Sequence, residues 1–188
     1  MPVIEEAQLQ KRHLFFMDAA HFVLQPFLGY LWCFARVFIQ ASSGRQRFNV
    51  LAALDACSHQ IIAVTNDAYI NADSVCTLLT KIRTSFTDGL PITIVLDNAR
   101  YQHCRRVIDH ATKLEIELLF LPPYSPNLNL IERLWRFVRK TTLATEYFDS
   151  FATFKAAIQG CLDQSKTTYK PELDSLLVLK FQTFQNVT

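Results

Sequence analysis

Apolar and polar positions along this chain follow two periods, and the changes between them mark out its elements. Leu14-Phe15-Phe16-Met17 is a short unbroken apolar run, the pattern of a buried strand, and it delivers Asp18 at its end. Arg47 to Leu54 and Gln60 to Asn66 read as two further strands joined by the polar turn Asp55 to His59, so the chain is expected to begin with three antiparallel strands. Asp55 is a competing acid there, but an aspartate in a turn ordinarily bonds its own backbone. Residues 23 to 45, with Pro26, Gly29, the aromatic cluster Phe27, Tyr30, Trp32 and Phe34, and the turn Ser42-Ser43-Gly44, predict a loop and a short strand.

The period then changes to that of a helix. Val75, Leu78, Leu79, Ile82 and Phe86 share one face over residues 71 to 86, with Asn71 or Asp73 as the cap and Asp88-Gly89 as the stop. Pro91 to Leu96 is the clearest central strand, and Asp97-Asn98 stands at its carboxyl end, where ligands bind in alternating strand-helix folds. Residues 101 to 113 predict a helix with Val107, Ile108 and Ala111 inward, and Glu115 to Leu121 a further strand. After the rigid turn Pro122-Pro123-Tyr124-Ser125-Pro126, Asn127 is placed to cap a helix with apolar positions 128, 131, 134, 135 and 138. Glu132 borders its inward face, and Arg133, Arg136 and Lys140, with Arg139 close by, line another. A last helix is expected over 147 to 164. Residues 1 to 12 read as a polar lead-in with scope for a helical turn at Ile4 to Leu9. The expected fold is α/β, with a mixed sheet of three antiparallel strands followed by parallel ones and flanked by helices.

Composition narrows the setting. Half of the 188 residues are hydrophobic, with fifteen Phe and four Gly, which suits one well-buried domain with few flexible links. A net charge of +2 excludes an argument for nucleic-acid binding from overall charge, so any basic surface is local. The five cysteines form no C-x-x-C pair and read as reduced thiols. The amino terminus lacks the plan of a signal peptide, and no apolar run approaches the ~20 residues that span a bilayer. A soluble protein of the cytoplasm is expected.

Asp18, Asp97 and Glu132, at the ends of a first strand, a central strand and a following helix, are the candidate chemistry. Hard carboxylate oxygens suit Mg²⁺, and two such ions about 4 Å apart serve in-line phosphoryl transfer. Asp18 after its strand, Asp97-Asn98-Ala99 with His103 downstream, and Pro122 to Trp135 resemble the catalytic domain of bacterial insertion-sequence transposases of the Tc1/mariner superfamily. Thirty-four residues lie between Asp97 and Glu132, the spacing typical of that group. The resemblance covers residues 13 to 145. It departs from the pattern at Ala19, where many relatives carry an acid, and at Leu130, where proline is common.

The resemblance implies a ribonuclease-H-like domain over residues 13 to 165 with a carboxyl-terminal extension from 166 to 188. It implies a catalytic and metal-binding triad of Asp18, Asp97 and Glu132 holding two Mg²⁺ or Mn²⁺ ions. Asn98, His103 and Asn129 would orient acids or DNA, and Arg133, Arg136, Arg139 and Lys140 would meet phosphates. The expected reaction is cut-and-paste transposition: cleavage at the element's end, then attack of the freed 3′-hydroxyl on target DNA, commonly at a TA dinucleotide, in a homodimer on the nucleoid. Relatives carry a helix-turn-helix DNA-binding region ahead of this core. This chain is expected to lack one, either as one product of a split or frameshifted gene, with a separate polypeptide then supplying it, or as a decayed remnant. The competing expectations are a ribonuclease-H-like nuclease without strand transfer and an inactive remnant or partner subunit.

Overall fold

A computed structural model of the chain describes residues 2–24, 34, 46–123, 125–144 and 146–181. Five strands form one mixed sheet: β1 (His13–Val23), β2 (Arg47–Asp55), β3 (Ile61–Asn66), β4 (Ile92–Leu96) and β5 (Ile116–Phe120), in the order β3-β2-β1-β4-β5. β1, β2 and β3 are antiparallel, whereas β4 and β5 run parallel to β1, as the sequence predicts. The period of two along β1 divides the core. Leu14, Phe16, Ala20 and Phe22 face one side, together with α4 (Ile131–Val138) and α5 (Phe151–Asp163). Phe15 and Met17 face the other, with α2 (Ala72–Ser85) and α3 (Arg105–Lys113). β4 is buried along its whole length, as a parallel strand covered on both faces must be.

Several boundaries differ from expectation. β1 continues six residues beyond Met17, because Asp18, Ala19, Ala20, His21, Phe22 and Val23 all remain paired with β2 although β4 pairs only as far as Phe16. Residues 2 to 8 form a helix, α1 (Pro2–Gln8), held by buried Ala7. α3 begins at Arg105, four residues later than predicted, and Ile108 is 39% exposed rather than inward. Asn127 does not cap α4: Pro126–Leu128 is a single 3-10 turn, and Leu130 opens the helix with helical angles and no side-chain cap. Elsewhere the local chemistry is as read. Asn71 caps α2 in a reciprocal pair with Ser74, and Asp55 accepts from Cys57 N and Ser58 N inside its own turn at 2.9 and 2.7 Å. A short α6 (Lys170–Leu176) sends Leu173 and Leu177 into the α4 side of the core. The loop and short strand expected between 23 and 45 lie almost wholly outside the described residues. Among the described residues no helix is long and apolar enough to cross a membrane.

Candidate active site

The sheet register brings the first two acids level. Each β4 partner of β1, from His13↔Ile92 to Phe16↔Val95, stands seventy-nine residues later, and Asp97 stands in the same relation to Asp18. Phe16 and Val95 face the α4 side of the core, so alternation turns Asp18 and Asp97 to that side too, two residues past the last paired position. Glu132 arrives there on the first turn of α4. Asp18, Asp97 and Glu132 line one cleft of about 360 Å³, together with Asn98, Ala99, Leu121, Pro122, Pro123, Ser125 and Asn129. Asp97 Oδ1 accepts from Ala99 N at 3.1 Å, which tightens the turn leaving β4.

The chain around the acids is braced by amides. Asn98 donates its side-chain N–H to the carbonyl of Leu121, tying the proline turn to the end of β4, and Leu121 N bonds Leu96 O at 2.8 Å. Asn129, only 4% exposed, donates to Met17 O at 3.4 Å and so anchors the entry of α4 to β1. Its Oδ1 is buried without a hydrogen-bond partner among the described residues. An orphaned carboxamide oxygen of this kind calls for a donor or a cation.

Trp135 is 1% exposed and packs edge-on to Phe22, with ring centroids 6.1 Å apart, which is the core role expected of it. It also has a second role that sequence reasoning missed: its indole N–H donates to Asp18 Oδ2 at 3.1 Å. A buried tryptophan needs an acceptor for that N–H, and its place three residues after Glu132 was the available signal. Trp135→Phe keeps the ring but deletes the donor. It is expected to weaken Mn²⁺ binding about 10-fold, measured by metal titration with the circular dichroism spectrum unchanged.

Burial pushes the Asp18 carboxyl up from 3.8 to about 7, helped by the Glu132 and Asp97 charges and opposed by hydrogen bonds from Ala19 and Trp135. Tyr101, also not foreseen, is half-buried. Its hydroxyl accepts from Gln102 Nε2 at 3.2 Å, and burial raises its pKa, with Asp18 and Asp97 adding to the rise.

A cation fits the donor set. The titratable groups lining the cleft are all carboxylates, with no thiol or imidazole, which selects hard oxygen-seeking ions. Among the described residues no three His, Cys, Asp or Glu side chains close on a single point for one ion.

The remaining predicted residues divide. His103 is exposed, packs edge-on to Phe120 at 4.4 Å and does not line the cleft. Arg136, Arg139 and Lys140 are exposed, Arg139 lying over the Phe22 ring at 5.6 Å. Arg136, Lys140 and Phe137 border a groove of about 400 Å³ against Glu172 and Leu176 of α6. Arg133 departs from the expected phosphate stripe: its guanidinium donates to the carbonyls of Leu176, Val178 and Lys180 at 3.2, 2.6 and 2.6 Å. One residue on from Glu132, its side chain is turned about 100° around the helix, toward the carboxyl-terminal segment.

The sequence profile of the DDE superfamily endonucleases matches residues 13–155. An uncharacterized protein, y4pE/y4sA, of Sinorhizobium fredii is 33% identical over an alignment of 88 residues that covers 44% of this chain and 59% of that one. The fold is similar to that of the protein in the Mos1 strand transfer complex, with a TM-score of 0.58 at 17% identity, covering 93% of this chain and 55% of that chain. It is also similar to the HTLV-2 integrase catalytic core domain in complex with magnesium in its dimeric form, with a TM-score of 0.52 at 12% identity, covering 83% and 87%. At these identities the likeness to the two solved structures is one of fold. This chain thus spans little more than half the length of the Sinorhizobium and Mos1 chains.

Proposed function

Because this chain belongs to the DDE superfamily endonucleases, we propose that it is the catalytic domain of a transposase, which cuts a DNA strand and joins the freed 3′ end to target DNA. The observation that carries this reading is the convergence of Asp18, Asp97 and Glu132 on one cleft from two neighbouring parallel strands and a facing helix. The strand transfer named for the Mos1 complex, and the magnesium and dimer named for the HTLV-2 core, support the same reaction, the same kind of ion and a second copy of the chain.

Asp18, Asp97 and Glu132 would hold two Mg²⁺ or Mn²⁺ ions, which supply positive charge to the attacking and departing oxygens of an in-line displacement. Trp135 fixes which oxygen of Asp18 faces the cleft, Asn129 fixes α4 against β1, and Asn98 fixes the proline turn that forms one wall. The substrate is DNA in the cytoplasm: the ends of an element and its target, with TA as the favoured target step. Arg136, Arg139 and Lys140, exposed along α4 and the turn that follows it, would take DNA phosphates outside the cleft.

The test is cleavage of a duplex carrying the element's ends, with Mg²⁺ or Mn²⁺ present and absent. Product that forms equally well in chelator overturns the assignment. Binding to a generic duplex is expected to weaken steeply with salt, and the double change Arg136→Ala with Lys140→Ala to reduce the slope of log K against log salt by about 2, at roughly 0.9 per phosphate contact. An unchanged slope, read by fluorescence anisotropy, removes these two residues from the DNA path.

A further inference from the structure

Arg133 holds the bent segment that leaves α6 by alternate carbonyls, those of Leu176, Val178 and Lys180, with one planar guanidinium. Three charge-assisted bonds from one side chain make a strong local attachment. The same segment ends on Phe181, whose ring lies 5.7 Å from the Arg133 guanidinium and 5.8 Å from the ring of Phe16. Phe16 precedes Asp18 by two positions and shares its face of β1. Residues 176–181 therefore touch both the helix that carries Glu132 and the strand that carries Asp18. They are fixed in turn from behind: His59 contacts Asp174 at 2.7 Å and the carbonyl of Leu177 at 3.2 Å, and Leu177 is buried in the core.

The first turn of α4 has need of such a brace. Leu130 provides no side-chain cap, and Glu132 N and Arg133 N bond Asn129 O and Leu130 O at 3.2 and 3.1 Å, in the tight three-residue pattern. The buried residues of α4 hold the helix against the sheet, Asn129 and Trp135 tie it to β1, and Arg133 ties its first turn to this segment.

We propose that residues 176–181 form a clasp across α4 and β1, and that Arg133 is a positioning residue which, through this clasp, sets the separation of Glu132 from Asp18. The inference rests on the reading of Asp18, Asp97 and Glu132 as the ion-binding acids. It gives the carboxyl-terminal segment a part in the site and gives Arg133 a role other than DNA contact.

The test is Mn²⁺ affinity, read by electron paramagnetic resonance on the whole chain at a temperature where circular dichroism shows each variant folded, with Tm measured alongside. Arg133→Ala is expected to bind Mn²⁺ more weakly by up to about 10-fold, the lower end of what loss of a direct partner of a ligand costs, since Arg133 acts through the segment rather than on a ligand. Phe181→Ala should lose several-fold and Arg133→Lys should fall between, since a single ammonium cannot serve three carbonyls in a fixed fork. Arg105→Ala, an exposed change on α3, should lose nothing. Lowered Tm with wild-type Mn²⁺ affinity in Arg133→Ala and Phe181→Ala reduces the clasp to plain packing and overturns the proposal. If Arg133→Ala does not fold, Phe181→Ala and Arg133→Lys decide by the same criterion. A wild-type chain that binds no Mn²⁺ is a different result: it removes the ion site itself, and the clasp's role with it.

Discussion

Asp97→Asn is expected to reduce metal-dependent DNA cleavage by more than ~100-fold, beyond what loss of an outer partner costs, while leaving the fold and generic DNA binding intact. The substitution is isosteric and its site is exposed at the end of β4, so no buried packing changes. An amide oxygen can still accept from Ala99 N, and the turn that leaves the strand survives. What is lost is one of the three carboxylates around the cleft, and with it part of the attraction that draws in a divalent ion. The measurement is strand cleavage in Mn²⁺ by variant and parent at equal DNA occupancy. Cleavage by the variant at the parent's rate would falsify the assignment of Asp97.

The second large effect has the opposite direction. In the absence of divalent ions, Asp18→Asn should make the protein more stable at pH 8, by at most about 4 kcal/mol, from roughly three units of displacement at ~1.4 kcal/mol each. The cleft admits water to Asp18, which makes that figure a ceiling. The sign follows from linkage. The Asp18 carboxyl is raised from 3.8 to about 7 on folding, so the folded chain holds its proton more tightly than the unfolded one. Its contribution to stability is complete below about pH 4 and is lost as pH rises to 7. Asparagine resembles the protonated form and loses nothing over that window. Parent and variant should melt at similar temperatures at pH 4 and separate by several degrees at pH 8. Mn²⁺ should then reverse the order, because the parent, with all three carboxylates, gains more binding energy in the folded state. Melting temperatures that run parallel from pH 4 to pH 8 would show that Asp18 carries no burial penalty.

How far the site was legible in the sequence differs from residue to residue. Asp97 was legible because five buried residues of β4 precede it without interruption and point to one strand end. Glu132 was legible because it borders an apolar helical face that also carries Leu134 and Trp135. Asp18 was placed correctly beside them but at the wrong point of its strand: the acid breaks the apolar run, whereas the backbone pairing with β2 continues through Ala19 and Ala20 to Val23. Pairing depends on the partner strand, which a local pattern does not contain. The reading of Asn127 as a cap failed because proline at 126 started a 3-10 turn instead of the α-helix, and α4 opened later at Leu130. The use of Arg133 could not be read at all. Its partners are main-chain carbonyls more than forty residues away, and a carbonyl has no residue identity. The tryptophan donor lay between these cases, since its need for an acceptor was evident but its choice of Asp18 required the register.

That register also governs when the protein can first act. Asp18 and Asp97 are level only if β1 and β4 pair in the observed alignment, and a slip by one residue would turn Asp18 to the α2 side of the sheet. Pairing strands seventy-nine residues apart is expected to be slow, because a long intervening chain must be closed to bring them together. During synthesis Asp18 emerges early and Glu132 far later, with Arg133's carbonyl partners last of all. A nascent chain therefore displays single acids, and the cleft that gathers Asp18, Asp97 and Glu132 forms only once β4 and α4 have joined β1.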